Sequence, residues 1–294
     1  MRGGFRTVNN GGFVFSCFNC GFKANWAPGR ILSKNAKQFL EFLGASPDEI
    51  KKINFECLKT KSDAPIVRTI YDIPNKTVDL PPGAKLLSEW AENPPEDFLK
   101  VLEYMNARNP ELLSWHDFYW TPDKKNHMNK RIIIPYTSDR GEIFGYAARS
   151  IEKTVQPKYM CQVVNNAYIF NMDALYLPYR KYAIVCEGVL DAVSLNCCAC
   201  MKQYLTDRQI EVLSTTNKKI VIVPDRDNSG KELVLQALKL GYSVSMPDWS
   251  EGIKDIADAV TRHGRLATMQ LILNSIETYD VKIKLKMKRW FDGR

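Results

Sequence analysis

From Lys181 onward the chain adopts a rhythm that few folds satisfy. Four short apolar runs, "KYAIVC", "KQYL", "KKIVIVP" and "YSVSM", are each followed by a helical pattern. These are "LDAVSLN", a Thr206-capped helix through Leu213, a helix capped near Ser229 and stopped by Gly241, and "DIADAVTRHG". Strand-helix alternation of this kind predicts a parallel sheet covered by helices, because parallel neighbours need a long crossover between them. The apolar window Ala183–Met201 carries Glu187 and Asp191, so it reads as a strand plus a helix rather than a bilayer segment.

In open parallel sheets, ligands bind beyond the carboxyl ends of the strands. Two strands here end in acids. "KYAIVC" runs into Glu187-Gly188, with Asp191 four residues after Glu187, and "KKIVIVP" runs into Asp225-Arg226-Asp227. In extended backbone, residues i and i+2 share a face, so Asp225 and Asp227 are expected to converge with Arg226 turned away. Adjacent strands lie about 5 Å apart, close enough for Glu187 to join them if its strand is the neighbour. A later segment, "DWSEGIKDIAD", adds Asp255 and Asp258. Carboxylates packed this closely repel, and either a proton or a cation must relieve them. Hard oxygen ligands suit Mg²⁺, or Mn²⁺, which favours a few carboxylates plus substrate phosphates. The pattern therefore predicts metal-assisted phosphoryl or nucleotidyl transfer. Gly188 and Gly230 are expected to permit tight turns beside the site. Asp and Gly after one strand would be ordinary turn chemistry; two such strand ends in order are much more specific.

The chain has 294 residues, enough for about two domains. Its net charge of +8 is concentrated. Residues 121–181 hold ten Lys/Arg against five Asp/Glu, and residues 281–294 hold six against one. Two basic zones on an otherwise balanced chain point to a polyanionic partner, nucleic acid first. The first zone contains "RIIIPYTSDRGEIFGYAARS", two apolar runs about a turn at Ser138–Gly141, which predicts a β-hairpin. Tyr136, Phe144, Tyr146 and Tyr159 interleave with its basic residues, as in a single-strand groove, although core packing is the better expectation for Phe144. Upstream, "PPEDFLKVLEYMNARN" places Phe98, Val101, Leu102 and Met105 on one helix face, and Ser46-Pro47-Asp48-Glu49 is a helix start. Residues from about Lys59 to Ala84 read as a linker. Eight cysteines without regular spacing favour a reducing, cytoplasmic setting. Cys197, Cys198 and Cys200 read as small buried residues on a helix-like segment.

Glu187-Gly188 followed by Asp225-Arg226-Asp227 resembles the TOPRIM fold shared by primases, topoisomerases and some nucleases. "RIIIPYTSDRGEIFGYAARS…PKYM" resembles the basic subdomain that precedes TOPRIM in DnaG-type primases. The likeness is greatest to T4-type bacteriophage primases, from the Cys-x-x-Cys of Cys17 and Cys20 through "LSEWAENPPEDFLKVLEYMNARNPE" and "KDIADAVTRHG" to the basic tail. The resemblance implies an α/β fold: a TOPRIM-type parallel sheet with flanking helices, preceded by a mixed α+β basic subdomain and a partial zinc-ribbon-like N-terminus. The corresponding segments are residues 1–30 for the knuckle, 31–85 for a helical segment and linker, 86–180 for the basic subdomain, 181–275 for TOPRIM and 276–294 for the tail.

By the same resemblance Glu187 is the principal acid, as metal ligand or proton acceptor. Asp225 and Asp227 hold Mg²⁺, and Asp255 contributes further. Arg131, Arg149 and Lys158 contact nucleotide or DNA phosphates. A further basic residue of the family pattern has no counterpart in "YIFNMDALYLPY". Cys17 and Cys20 correspond to one of the two ligand pairs that grip Zn²⁺; no Cys or His precedes them, so zinc is expected only if other ligands are supplied. The implied activity is primer synthesis from ribonucleoside triphosphates on single-stranded DNA, alongside a separate replicative helicase, since no ATPase motif is present. A TOPRIM nuclease and a non-catalytic single-strand-binding or helicase-associated protein are the alternatives. The tail "VKIKLKMKRWFDGR" has a strand-like period, whereas the resemblance implies a helix; it binds DNA, binds the helicase or caps the domain.

Overall fold

A computed structural model of the chain describes residues 3–7, 11–26, 32–59, 77–137, 141–163 and 167–292. Most of the expected linker, the tip of the 131–150 hairpin and the last two residues lie outside these.

The N-terminal unit is a three-stranded antiparallel sheet, β1 (Gly3–Thr7), β2 (Phe13–Cys17) and β3 (Lys23–Trp26), followed by α1 (Lys34–Phe42) and α2 (Pro47–Lys59). Phe13, Phe15 and Phe39 form its small core, with the Phe15 and Phe39 rings stacked 4.3 Å apart. Ser46 and Glu49 cap α2 reciprocally, as the sequence predicts.

The middle unit contains β4 (Lys85–Leu86), α3 (Glu96–Arg108), α4 (Leu112–Trp115), β5 (Tyr119–Trp120), β6 (Arg131–Thr137), β7 (Ile143–Ser150) and β8 (Tyr159–Val163). Its five strands pair antiparallel in the order β4-β5-β6-β7-β8. Phe98, Val101 and Met105 bury the inner face of α3 completely. Tyr136 belongs to this core rather than to a groove: it is fully buried and stacks on Tyr168.

The third unit comprises β9 (Tyr182–Cys186), α5 (Val189–Leu195), β10 (Cys198–Ala199), α6 (Asp207–Thr215), β11 (Lys219–Ile222), α7 (Asn228–Leu240), β12 (Ser243–Ser245), α8 (Ile256–His263), α9 (Arg265–Asn274), β13 (Ile276–Glu277) and α10 (Asp280–Asp292). The strands lie in the order β10-β9-β11-β12-β13, parallel except for the edge strand β13. Strands β9 and β11 are neighbours, with Val185 opposite Ile222. Ala183, Val185, Ile220, Val221 and Ile222 are almost wholly buried, each larger aliphatic side chain contributing about 1.5–3 kcal/mol relative to exposure. Two expectations are corrected here. "KQYL" is not a strand; the short strand is Cys198–Ala199, so Cys198 sits on β10 with Cys197 and Cys200 flanking it, and none of the three is on a helix. All four of Cys186, Cys197, Cys198 and Cys200 are buried free thiols. The tail is helical despite its period-2 pattern, because Ile283, Met287 and Trp290, spaced i, i+4 and i+7, dock on the domain.

The N-terminal unit rests on the helical face formed by α6 and α7. Lys23 pairs with Asp207 at 2.5 Å, and Asn25 donates to the Tyr242 hydroxyl. Gly241, which ends α7 at φ 69°, leaves room for Ser33; a Cβ there would come within 2.6 Å of the Ser33 Cβ. Among the described residues no helix is long and apolar enough to cross a membrane.

Candidate active site

The acids gather at the carboxyl ends of β9 and β11. Among the described residues, one carboxylate oxygen from each of Asp191, Asp225 and Asp255 lies within 4.8 Å of the other two. Each reaches this spot from a different turn. Asp191 lies in the first turn of α5, and its Oδ1 accepts from the Ala257 N–H at 2.8 Å. Asp225 follows β11. Asp255 caps α8, accepting from the Asp258 N–H. The Arg226 N–H donates to the Lys254 carbonyl at 2.8 Å, which ties the Asp225 turn to the Asp255 turn.

Glu187 stands beside this group and braces it. Its Oε1 accepts from the Asp225 N–H at 3.2 Å and its Oε2 from the Ser229 hydroxyl at 2.8 Å. Asp227 does not converge with Asp225. The chain turns sharply after Pro224, the Asp227 N–H bonding to the Asp225 carbonyl, so the extended geometry that would align i and i+2 is lost. Asp227 instead caps α7, its Oδ1 accepting from the Ser229 and Gly230 N–H groups. Its charge sits where a helix amino end favours it.

The two glycines serve close approach, not positive φ. A Cβ on Gly188 would lie 2.2 Å from Asp191 Oδ2, and one on Gly230 would lie 1.9 Å from the Asp225 carbonyl oxygen. Gly188 thus makes space for a triad carboxylate, and Gly230 for the backbone that carries another.

Burial and mutual repulsion make these acids reluctant to ionise. Burial pushes the Asp225 carboxyl well above the usual aspartate range, and Asp191, Glu187 and Asp255 add to the shift. Asp191 is raised by burial and then by Asp255, against the opposing pull of the Ala257 N–H, Arg108 and Arg149. Glu187 is raised by burial, while its bonds to Ser229 and Asp225 oppose the shift. Three hard carboxylates within 4.8 Å of one another form a donor set that fits a divalent cation.

The middle unit supplies positive charge to the same place. Arg149 Nε donates to the Tyr104 hydroxyl at 2.6 Å, and Nη1 donates to the Tyr159 hydroxyl, over whose ring the guanidinium lies at 4.9 Å. Arg108 Nη1 reaches the Tyr104 hydroxyl as well, and its buried Nε has no partner among the described residues. A cavity of about 570 Å³, in the range of small-ligand sites, opens between α3 and α8, lined by Tyr104, Arg108, Asp258 and Arg262. Lys158 is exposed just before β8. Arg131, by contrast, is fully buried: Nη1 donates to the Ala148 carbonyl and Nε to that of Asn126. It pins the hairpin rather than presenting a guanidinium to a phosphate.

At the knuckle, the N–H groups of Cys20 and then Asn19 lower the Cys17 thiol pKa. Among the described residues, no third Cys, His, Asp or Glu completes a cluster with Cys17 and Cys20, and two thiolates do not make a structural zinc site.

Sequence reasoning noted Asp191 but did not place it among the metal ligands, and it missed Arg108 and Tyr104 altogether. The available signal for Asp191 was its position one helical turn after Glu187. For Arg108, at the end of a helix some eighty residues away, no local signal existed.

Comparison with known proteins agrees with this geometry. A family profile described as Toprim-like matches residues 184–260, the segment from β9 through α8. The DNA primase of Aquifex aeolicus is 26% identical over 171 residues, covering 53% of this chain and 34% of that protein. The DNA primase of Clostridium acetobutylicum is 25% identical over 209 residues, covering 64% of this chain and 35% of that protein. The chain thus spans about a third of the length of these curated relatives. Among solved structures, the zinc-binding and RNA polymerase domains of the Aquifex aeolicus primase superpose with a TM-score of 0.49 at 18% identity, covering 99% of this chain and 87% of that one. The RNA polymerase domain of Mycobacterium tuberculosis DnaG gives a TM-score of 0.49 at 15% identity over 65% of this chain and 81% of that one. The parallel-sheet unit is a Toprim-like domain. The relatives it matches in sequence are DNA primases.

Proposed function

We propose that this chain is a DNA primase, a DNA-directed RNA polymerase that makes short RNA primers on single-stranded DNA, of the T4 bacteriophage type and working beside a separate replicative helicase. The observation that carries the proposal is the junction of the Asp191/Asp225/Asp255 triad with Arg149 and Arg108. It joins a hard-cation site to fixed positive charge, a combination suited to a nucleoside triphosphate. The Toprim-like profile and the primase relatives support the same assignment.

In this reaction a primer 3′-hydroxyl attacks the α-phosphorus of a ribonucleoside triphosphate, a P–O bond forms, and pyrophosphate leaves. Mg²⁺ or Mn²⁺, held by Asp191, Asp225 and Asp255, would supply charge neutralisation at the phosphates and a lowered hydroxyl pKa. Asp227 acts through the α7 amino end, fixing the turn that carries Asp225. Glu187 has the raised proton affinity and the anchoring to Ser229 that suit the group receiving the hydroxyl proton. Arg149, clamped between two tyrosine hydroxyls, offers a preorganised cation to phosphate oxygens. Lys158 adds an exposed cation for the template backbone.

The test is direct. The chain is incubated with single-stranded DNA, the four ribonucleoside triphosphates and Mg²⁺, with and without helicase, beside the Asp225→Asn variant. Oligoribonucleotides from the unmodified chain alone are expected. Shortened DNA would identify a nuclease, and bound but unaltered DNA would identify a non-catalytic binding protein.

A further inference from the structure

Helix α10 carries more charge than docking requires. Ile283, Met287 and Trp290 seat it on the Toprim-like domain, and the Trp290 indole N–H donates to the Pro247 carbonyl at 2.7 Å. The same helix bears Lys282, Lys284, Lys286, Lys288 and Arg289. Lys282, Lys286 and Arg289 lie one position before those three anchors, so they form a stripe beside the docked face.

This stripe and Arg226 line one cavity of about 450 Å³, together with Trp249 and Leu285. Arg226 is oriented there. Its Nε donates to the Trp290 carbonyl at 2.9 Å, and its guanidinium lies 5.6 Å over the Trp290 ring. Two carboxylates, Asp248 and Glu277, also line the cavity, yet among the described residues none of the four cations is ion-paired. The Trp249 side chain is buried and its indole N–H has no acceptor among the described residues. At the helix start Tyr279 is 71% exposed, with Lys282 Nζ 5.8 Å from its ring. Arg226 lies between Asp225 and Asp227 in the chain, so the cavity begins one residue from the acidic triad.

We propose that this groove binds the phosphate backbone of single-stranded nucleic acid and carries it to or from the acidic site. The proposal rests on the assignment of the site to nucleotidyl transfer. Like charges repeated at helical-turn intervals of about 5–6 Å complement a repeating anion better than a single phosphate. An exposed aromatic ring beside them matches the stacking element of single-strand grooves.

The experiment measures binding of a fluorescein-labelled oligothymidylate by anisotropy across a salt series, using the whole chain. In the triple variant Lys282→Gln/Lys286→Gln/Arg289→Gln, affinity at low salt should fall about tenfold or more, and the salt slope should become shallower by about 2. Lys282→Gln alone, at an exposed position, should lower the slope by about 0.7. A charge-matched Lys34→Gln/Lys51→Gln/Lys52→Gln variant, on the N-terminal unit, should leave the slope unchanged. Unaltered affinity and slope in both the triple and single α10 variants would overturn the proposal and leave an acidic protein segment as the groove's partner. RNA synthesis by the unmodified chain is scored in parallel. Synthesis with unaltered α10-variant binding sinks the groove alone. Loss of α10-variant binding without any synthesis keeps the groove and sinks the primase assignment.

Discussion

The chain contains two short metal-ligand motifs, and the fold treats them differently. Asp225-Arg226-Asp227 is joined in space by Asp191 from thirty-odd residues upstream and Asp255 from thirty downstream. Cys17 and Cys20 gain no comparable partner among the described residues. The difference lies in the scaffold. Parallel strands deliver all their carboxyl ends to one edge, so acids on successive strand ends collect without being close in sequence. An antiparallel three-stranded sheet sends successive turns to opposite ends, so a knuckle at one turn meets ligands only if a second turn is supplied beside it.

Four predictions break or sharpen this contrast. The largest effect belongs to the triad. Asp191→Asn or Asp225→Asn should lower Mg²⁺-dependent RNA synthesis by more than the roughly 10–100-fold typical of groups that merely orient metal ligands, and should abolish stabilisation by Mg²⁺ in a thermal melt. Activity within a few-fold of the unmodified chain in Asp191→Asn would return the metal site to Glu187, Asp225 and Asp227.

Next come the glycines. Gly188→Ala places a methyl group on Asp191 Oδ2, and Gly230→Ala places one against the Asp225 carbonyl. Each should destabilise the domain by about 1–3 kcal/mol, the usual range for overpacking, as read by chemical denaturation. Gly188→Ala should also weaken Mg²⁺ binding, because the carboxylate itself must move. Stability unchanged in both would mean that the turns are looser than described.

The third effect is pH-dependent. Asp191, Asp225 and Glu187 all have pKa values raised in the fold, whereas in the unfolded chain they titrate near the ordinary value of about 4. The folded chain therefore holds protons that the unfolded chain releases. In the metal-free protein these three acids should contribute most to stability below that ordinary range, and their contribution should be lost as pH rises through the raised values. Mg²⁺ binds the ionised carboxylates, so its stabilising effect should grow over the same interval. Melting curves at several pH values, with Mg²⁺ or with chelator, test both signs; Asp225→Asn should flatten both trends.

The smallest effect belongs to the knuckle. Cys20→Ser should change stability by no more than about 0.5 kcal/mol, as for an exposed side chain, and elemental analysis of the chain should find far less than one zinc per molecule. One zinc per chain, lost with Cys20→Ser, would erase the contrast between the two motifs.

Much of the acidic site was legible because it obeys local rules. Apolar strands followed by Glu-Gly and Asp-x-Asp mark strand ends whether or not the sheet is known, and the neighbouring positions of β9 and β11 make Glu187 meet the Asp225 turn. The illegible part depended on backbone geometry past the strand. A turn across Asp225–Asp227 redirects Asp227 to the α7 amino end, and period-2 reasoning stops applying there. Arg131 looked like a phosphate ligand because it opens a basic strand, yet burial in the hairpin took it out of reach of solvent. Tyr136 went the same way.

The amino-acid order alone determined that a parallel sheet would form, that acids would stand at its carboxyl edge, and that positive charge would cluster in two zones. Those outcomes follow from periodicity, turn chemistry and composition, which act over a few residues. Only the tertiary structure decided which three carboxylates approach within 4.8 Å, that Arg149 and Arg108 face them from another unit, and that the tail is a docked helix with a basic stripe. These depend on which elements pack together, and packing is settled by burial summed over the whole core, not by any single segment.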